Sequence, residues 1–417
     1  MTPSRLKWPV LALLAVSIAG NYYAYDAIAP VADMLRSQAG FSQSQIGLLN
    51  AVASLPNVVL ALVGGILIDR YGAARASFAS AALCTVGAVL TAVAKPFGVM
   101  VTGRLLFGVG EETLLIALLA GISQWFASGG MALAMSLFFS LARVGSYTAD
   151  ISPSWAGSIY AGGWQPPLWL AAGLTGISLV AATVYLVLDL RRDRSQGPAS
   201  THNPEPFRLK DLAQFDLSFW YIFTLNVLFA SVFFPFRSTF AIAYFQDAKG
   251  LTLQDAGQVN SLVFFAAIFA TPFCGAFADR FGRRSALLVL GTALVPVTFL
   301  LLGATTAPLW ISTALMGVSF SVIPAVIWPS TSLLVAPKRL GTAFGLINVL
   351  QNLGIGGFNL AAGALNDAFH AGPKHPQGYE PMMLMFGLVS LVALAATVLL
   401  WRREQGPNGH GLDRAAA

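Results

Sequence analysis

Four ionisable side chains sit where hydrocarbon is expected. Gly103 to Ile122 reads GRLLFGVGEETLLIALLAGI, an apolar run that carries Arg104, Glu111 and Glu112. Met131 to Ser152 reads MALAMSLFFSLARVGSYTADIS and carries Arg143. An ionised group at the centre of a bilayer costs at least a few kcal/mol, so such residues face a protein interior or a water-filled cavity and mark a functional path by default. On a helix, a step of ~100° per residue puts Arg104, Gly108 and Glu111 on one face and turns Glu112 away from them. Glu111 can then pair with Arg104 along its own helix, directly or through water. Glu112 and Arg143 fall at the same depth on neighbouring runs. Two readings are open for them: an ion pair that only joins two helices, or two opposite charges offered to a small charged substrate. Buried ion pairs stabilise poorly relative to apolar packing, which favours the second.

Other candidates flank this pair. NYYAYDAIAP, Asn21 to Pro30, places Tyr22 and Tyr25 or Asp26 on a shared face. FFPFRSTFAIAYF, Phe233 to Phe245, carries Arg237. Asp26 and Arg237 read as an outer gate pair or as a second part of the site; the alternative is an interfacial aromatic belt with snorkelling charges. SVIPAVIWPS holds Trp328 between prolines, and NVLQNLGIGGFN holds Gln351 and Asn352. Helices broken by proline and glycine line mid-membrane cavities, which makes Trp328, Gln351 and Asn352 candidate lining residues. Gly354, Gly356 and Gly357 are equally explained by close helix packing.

The elements that must position these residues are membrane helices. Of 417 residues, 56% are hydrophobic and 10% charged, against ~25% charged in ordinary soluble chains. This composition excludes disorder and indicates an all-α integral membrane protein. A crossing needs ~20 mostly apolar residues. Twelve segments qualify, near 8–32, 43–68, 76–95, 99–124, 131–152, 166–189, 216–245, 256–278, 285–304, 309–335, 341–366 and 380–401. The N-terminus runs into the first segment without a small-residue cleavage site and is read as a spanning helix, not a signal peptide. Residues 190–215 form the longest polar interval, a basic cytoplasmic linker between six-helix halves at 1–189 and 216–417. With both termini cytoplasmic, seventeen of the 24 Lys and Arg lie inside, four lie outside, and Arg104, Arg143 and Arg237 lie within spans. That bias sets the topology and accounts for the net charge of +6 without a nucleic-acid partner. Cys84 and Cys274 lie in apolar runs, and the four histidines lie in polar stretches, so no metal site, cofactor or disulfide framework is expected. No nucleophile–base set indicates an enzyme.

The halves repeat. GILIDRYGAAR, Gly65 to Arg75, follows the second segment, and GAFADRFGRR, Gly275 to Arg284, follows the eighth. Aligning Gly65 with Gly275 aligns Asp69 with Asp279 and Arg70 with Arg280; Arg75, Arg283 and Arg284 complete the basic ends. Duplication of this kind marks transporters built from related halves. The repeated loop resembles the helix 2–3 signature of the major facilitator superfamily, and Arg104-x-x-x-Gly108-x-Gly110 resembles its second signature. The resemblance covers nearly the whole chain. It implies two pseudo-symmetric halves and a loop that latches them in the outward-open state. The first copy departs from the pattern, because Ala73 and Ala74 follow Gly72, so its latch is expected to be the weaker.

Within that superfamily, VTGRLLFGVGEETL, AMSLFFSLARVGS, IWPSTSLLVAPKRLGTAFGL and NYYAYD resemble a branch of lysosomal dipeptide transporters and their bacterial relatives. The resemblance implies a uniporter working by rocker-switch alternating access, with an acidic residue on the fourth helix for the peptide ammonium and an arginine on the fifth for its carboxylate. Glu112 and Arg143 are the matching positions. A zwitterion can satisfy both charges of such a pair without leaving either bare. The first helix lacks the E-x-x-E-R signature of proton-coupled peptide transporters, and no histidine lies in a span; proton coupling would have to use Asp26, Glu111, Glu112 or Asp150. The competing function is transport of an organic anion or sugar acid held by Arg143 and Arg237, with or without proton coupling. The expected partners are a small-molecule substrate and the bilayer, the expected working unit is a monomer, and in a bacterium the expected location is the inner membrane.

Overall fold

A computed structural model describes residues 3–93, 96–126, 130–191, 214–336 and 339–413, with the backbone alone at 3–5, 61–66, 69, 132, 272, 275–276 and 279. Most of the linker predicted at 190–215 lies outside the described residues, as do the side chains of Gly65, Asp69, Gly275 and Asp279.

The chain divides into two compact units, 1–203 and 204–417. The first contains α1 (Pro3–Asp26), α2 (Ile28–Ala39), α3 (Gln43–Ser54), α4 (Asn57–Tyr71), α5 (Ala73–Val93), α6 (Phe97–Trp125), α7 (Met131–Asp150), the single turns α8 (Ser152–Trp155) and α9 (Gly157–Tyr160), and α10 (Gln165–Leu190). The second contains α11 (Leu217–Pro235), a π-helical turn over Phe236–Phe240, α12 (Ala241–Asp247), α13 (Leu253–Phe281), α14 (Arg284–Ala304), α15 (Leu309–Leu334), α16 (Leu340–Ala368) and α17 (Glu380–Glu404). Among the described residues, helix lies within each of the twelve predicted segments, with breaks inside the first two. Among the described residues, seven helical runs are long and apolar enough to cross a membrane by length and composition. Large apolar side chains stand exposed along them, among them Val180, Leu290, Leu300 and Leu384. The chain is a multi-pass membrane protein, and that surface is what lipid solvates.

Proline places the breaks. Pro30 has no N–H for the Asp26 carbonyl, and the helix interrupts at Ala27, between α1 and α2. Pro56 does the same to Val52, and α3 ends at Ser54. Pro235 removes the partner of Ser231, and the next five residues widen into the π turn. A shift of 210 residues, the shift that relates Gly65 to Gly275, carries Ala27 onto Arg237. The two halves therefore break their first long helix at matched positions.

The packing repeats as well. Within the first unit α6 packs on α3, α4 and α5, and α1 on α7 and α10. Within the second, α15 packs on α13 and α14, and α11 on α16 and α17. Glycines make the tightest crossings possible. A Cβ on Gly108 would stand 2.1 Å from the Ala53 carbonyl oxygen, and one on Gly317 would stand 2.2 Å from that of Val263. Residue numbers 108 and 317 differ by 209, and 53 and 263 by 210.

The repeated loops share a turn. Gly72 and Gly282 both adopt positive φ, +86° and +64°, and their N–H groups donate to Ile68 and Ala278 carbonyls at 2.8 and 3.1 Å. Arg70 lies 5.5 Å from the Tyr71 ring, and Arg280 lies 5.5 Å from the Phe281 ring. In the second copy the C-terminal tail joins the turn. Arg283 donates its backbone N–H to the Asp413 carbonyl at 3.1 Å. Ser285 donates its N–H and Oγ–H to the Asp413 carboxylate at 2.9 and 2.6 Å, which caps α14.

Candidate functional site

Two kinds of buried cation are distinguished in the first unit. Arg104, 2% exposed, points from α6 at the broken ends of α1 and α3. Its Nε donates to the Leu49 carbonyl, Nη1 to that of Ala24 and Nη2 to that of Tyr25, each at 3.2 Å. Nη2 also donates to Asn50 Oδ1 at 2.7 Å. The guanidinium fork satisfies four acceptors from two helices at once, which suits arginine and not lysine. Glu111 stays within electrostatic range of Arg104, but no hydrogen bond joins them among the described residues. Seven residues rise ~10 Å along a helix, so the link that the spacing suggests is long-range.

Arg143 on α7 and Glu112 on α6 are each partly exposed, unlike Arg104. Tyr22 of α1 lies within electrostatic range of Glu111, Glu112, Arg143 and Asp26. Tyr25, one turn on, is within range of Glu111, Asp26 and Arg104, and its hydroxyl meets Ser54 Oγ at 3.4 Å. Asp26 is buried at the end of α1, where Pro30 opens the helix. Tyr22 and Tyr25 thus sit among charges on α1, both partly exposed. Gly145, two residues beyond Arg143, lets α7 approach α1; a Cβ there would stand 2.1 Å from the Ala19 carbonyl oxygen. Arg143 and Tyr22 are brought close by that crossing. Asn21 Oδ1 and Ser146 Oγ, beside them in sequence, are buried with no hydrogen-bond partner among the described residues.

The second unit has the same scaffold with different chemistry. The 209-residue shift that carries Gly108 onto Gly317 also carries Gly145 onto Gly354. A Cβ on Gly354 would stand 2.1 Å from Ser231 Oγ, so α16 meets α11 as α7 meets α1. The same shift carries Arg143 onto Asn352 and Glu112 onto Ser321. Asn352 donates to the Asn348 carbonyl and Oδ1 at 3.0 and 2.6 Å, and Ser321 donates to Gly317 and Ala267 carbonyls. Gln351 accepts from Asn226 Nδ2 at 2.7 Å. Thr239 donates to Asn359 Oδ1 at 2.7 Å. The duplicated positions are polar but uncharged, so the Glu112 and Arg143 charges belong to one half.

Arg237 is fully buried on the π turn. Its guanidinium carbon lies 4.0 Å from the Phe264 ring centroid, and Nη1 donates to Ser238 Oγ at 3.2 Å. Full burial excludes snorkelling for this residue. Trp328 is 40% exposed and lies 5.5 Å from the Phe344 ring. Asn50 was not among the sequence candidates, although it completes the Arg104 site. The 210-residue shift marks it, since it carries Asn50 onto Asn260, which is also buried and donates to the Arg237 carbonyl at 3.2 Å.

Among the described residues no group of histidine, cysteine, aspartate or glutamate side chains could hold a metal ion. The family model described as Major Facilitator Superfamily matches residues 14–252 and 222–416. The Lysosomal dipeptide transporter MFSD1 of Danio rerio is 29% identical over 432 residues, covering 100% of this chain and 91% of that protein. Its Homo sapiens counterpart is 29% identical over 422 residues, covering 97% and 89%. The "Probable sulfoacetate transporter SauU" of Cupriavidus necator is 22% identical, covering 88% of each chain. Among solved structures, a point mutant of the nucleoside transporter NupG superposes with a TM-score of 0.78 at 13% identity, covering 94% of this chain and 99% of its own.

Proposed function

The chain belongs to the major facilitator superfamily, and from that premise we propose that it carries small zwitterionic peptides, dipeptides in the first place, by alternating access as a uniporter. The reading rests on two partly exposed, opposite charges, Glu112 on α6 and Arg143 on α7, with α7 set against α1 at the Gly145–Ala19 crossing. A dipeptide presents its ammonium to Glu112 and its carboxylate to Arg143. Each charge then keeps an opposite partner, and none is left bare on loading. The partial exposure of this pair contrasts with Arg104, whose fork is spent on backbone. The names of the two MFSD1 relatives support the substrate class.

Tyr25 and Asp26, and within the second half Arg237, Trp328, Gln351 and Asn352, are assigned as further substrate contacts. The twelve helical segments are taken as twelve crossings with cytoplasmic termini, on the strength of the Lys and Arg distribution. The two glycine turns at Gly72 and Gly282, with Arg70, Arg75, Arg280, Arg283, Arg284 and the aspartates at 69 and 279, are taken as the latch. The working unit is taken as a monomer, in the inner membrane if the cell is bacterial.

A second reading, an organic anion or sugar acid with or without proton coupling, draws on the name of the sulfoacetate relative. One set of measurements separates the two. Purified protein is melted with a dipeptide, with the same dipeptide N-acetylated, and with a sulfonate. Stabilisation by the free dipeptide alone supports the first reading, since binding raises stability with occupancy; equal stabilisation by all three sinks it. Flux into proteoliposomes that is unchanged by a proton gradient supports uniport, and flux driven by the gradient overturns it.

A further inference from the structure

A crevice of 1310 Å³ opens within the second half, and none of the residues assigned above lines it. It runs between α14 and α17 and reaches the turns that follow α12 and precede α17. Small-molecule pockets usually measure ~300–1,000 Å³, so its natural occupant is larger than such a ligand. The walls are apolar: Leu300 on α14 faces Leu384, Leu388 and Leu391 on α17, and Leu300 and Leu384 are 60% and 62% exposed. The trough exists because small residues stand where side chains would fill it. A Cβ on Gly303 would meet nothing within 4 Å, and one on Gly387 would meet only Phe299 Cβ at 3.9 Å.

The end at those turns is polar and firmly built. Tyr244 donates its hydroxyl to the Leu302 carbonyl at 2.8 Å, and Tyr379 donates to Asp247 at 2.6 Å. The two rings pack edge to face, 5.7 Å apart. Lys249 lies 5.7 Å from the Tyr244 ring centroid, and Glu380 is within electrostatic range of the same tyrosine. Lys249 and Glu380 both line the crevice. Lys249 and Glu380 thus stand in the lining at the head of the apolar trough, with the Asp247 carboxylate behind them held by Tyr379.

We propose that this crevice is a binding site for one zwitterionic phospholipid with an ethanolamine headgroup. Its phosphate meets Lys249, its ammonium meets Glu380, and an acyl chain lies along Leu300, Leu384, Leu388 and Leu391. Charge complementarity selects the headgroup. A glycerol-type anionic lipid leaves Glu380 facing a net negative charge. A choline headgroup has no N–H with which to hydrogen-bond the carboxylate, whereas a primary ammonium has three. The leucine-lined trough offers no charged side chain among the described residues, which disfavours a small zwitterion that would have to bury both charges there.

The test uses the full chain, purified from a membrane that contains both ethanolamine and glycerol headgroups and washed in detergent. Bound lipid is counted by native mass spectrometry. Wild type should retain a single ethanolamine lipid, enriched about tenfold over the glycerol type, the scale on which charge-assisted pairs discriminate. Lys249→Ala and Glu380→Gln should each abolish the enrichment. Gly387→Leu should displace the lipid outright; it fills open space and replaces a poor helix former, so its melting temperature checks that the fold is kept. Retention unchanged in Gly387→Leu, or preference for the glycerol headgroup, overturns the proposal. Dipeptide-induced stabilisation does not enter either outcome.

Discussion

Arg104 Nη2 and Asn50 Oδ1 lie 2.7 Å apart, the shortest of four hydrogen bonds that tie α6 to the first and second long helices. The bond joins a buried cation to a buried amide at the level where Pro30 and Pro56 leave carbonyls without helical partners. It follows that this arginine acts first as a structural clamp. Arg104→Lys keeps the charge but offers three donors in place of five. It should lower stability by about 2 kcal/mol or more, since donors to carbonyls are lost inside a dry interface. Asn50→Ala should cost less, about 1–3 kcal/mol. Thermal melting of the unliganded variants checks the order, and an unaltered melt for Arg104→Lys would refute the clamp.

Glu112→Gln and Arg143→Ala should act on ligand and leave the fold. Each should weaken dipeptide binding at least about tenfold, or ~1.4 kcal/mol. They should also fail differently: Glu112→Gln narrows the gap between a dipeptide and its N-acetylated form, whereas Arg143→Ala narrows the gap between a dipeptide and its amide. Calorimetric titration reads both gaps. Wild-type selectivity in either variant would remove that residue from the site.

Gly108→Ala and Gly317→Ala should be destabilising to similar degrees, because each Cβ meets a carbonyl oxygen at 2.1 or 2.2 Å. Backbone must move, at about 1–3 kcal/mol for an overpacked site. Gly173→Ala and Gly176→Ala on α10 are the controls. Nothing lies within 4 Å of either Cβ, so both should be neutral or slightly stabilising through helix propensity. Melting temperatures of the four variants decide the matter, and equal effects across all four would show that contact does not control these crossings.

Acid should loosen the C-terminal tail. Partial burial raises the Asp216 pKa, but the Ser218 N–H and the Arg403 guanidinium at 2.8 Å outweigh it, and the carboxyl ionises below its usual range. A carboxyl depressed on folding contributes stability fully present above its unfolded pKa, ~3.9, and lost as pH falls through the lower folded value. His410 lies 3.6 Å from Asp216 and 3.3 Å from Glu404, which also accepts the backbone N–H groups of His410 and Leu412. Protection of residues 405–413 against hydrogen exchange, relative to the intrinsic rate at each pH, should therefore fall in acid. Asp216→Asn should show part of that loss of protection already at neutral pH. Identical profiles for wild type and Asp216→Asn would exclude this role.

Much of the scaffold was legible because hydrophobic runs of membrane length and repeated loops are local in sequence. The shift from Gly65 to Gly275 is visible by inspection and carries with it the matched breaks and crossings. The placement of Glu111, Glu112 and Arg143 on neighbouring helices was equally legible, since depth along a helix follows from counting residues. The aim of a long side chain was not. Arg104 has Glu111 on its own face at a spacing that invites pairing, yet its fork turns to Leu49, Ala24, Tyr25 and Asn50. No count along α6 contains those partners, which are far away in sequence. The capping of α14 by Asp413 was hidden for the same reason.

By itself, the sequence determined an all-helical membrane chain with duplicated halves and charges of both signs confined to a few positions within it. Composition, period and repetition suffice for that, because each is a sum over neighbouring residues. Only the tertiary structure decided that Arg104 is spent on three backbone carbonyls and Asn50 while Glu112 and Arg143 stay partly exposed, and that Ser321 and Asn352, at the matching positions in the second half, donate to carbonyl and amide oxygens. Those outcomes depend on which carbonyl oxygens and rings surround a side chain once glycine crossings such as Gly108 against Ala53 set helices in contact, and that is settled by distances between residues the chain keeps far apart.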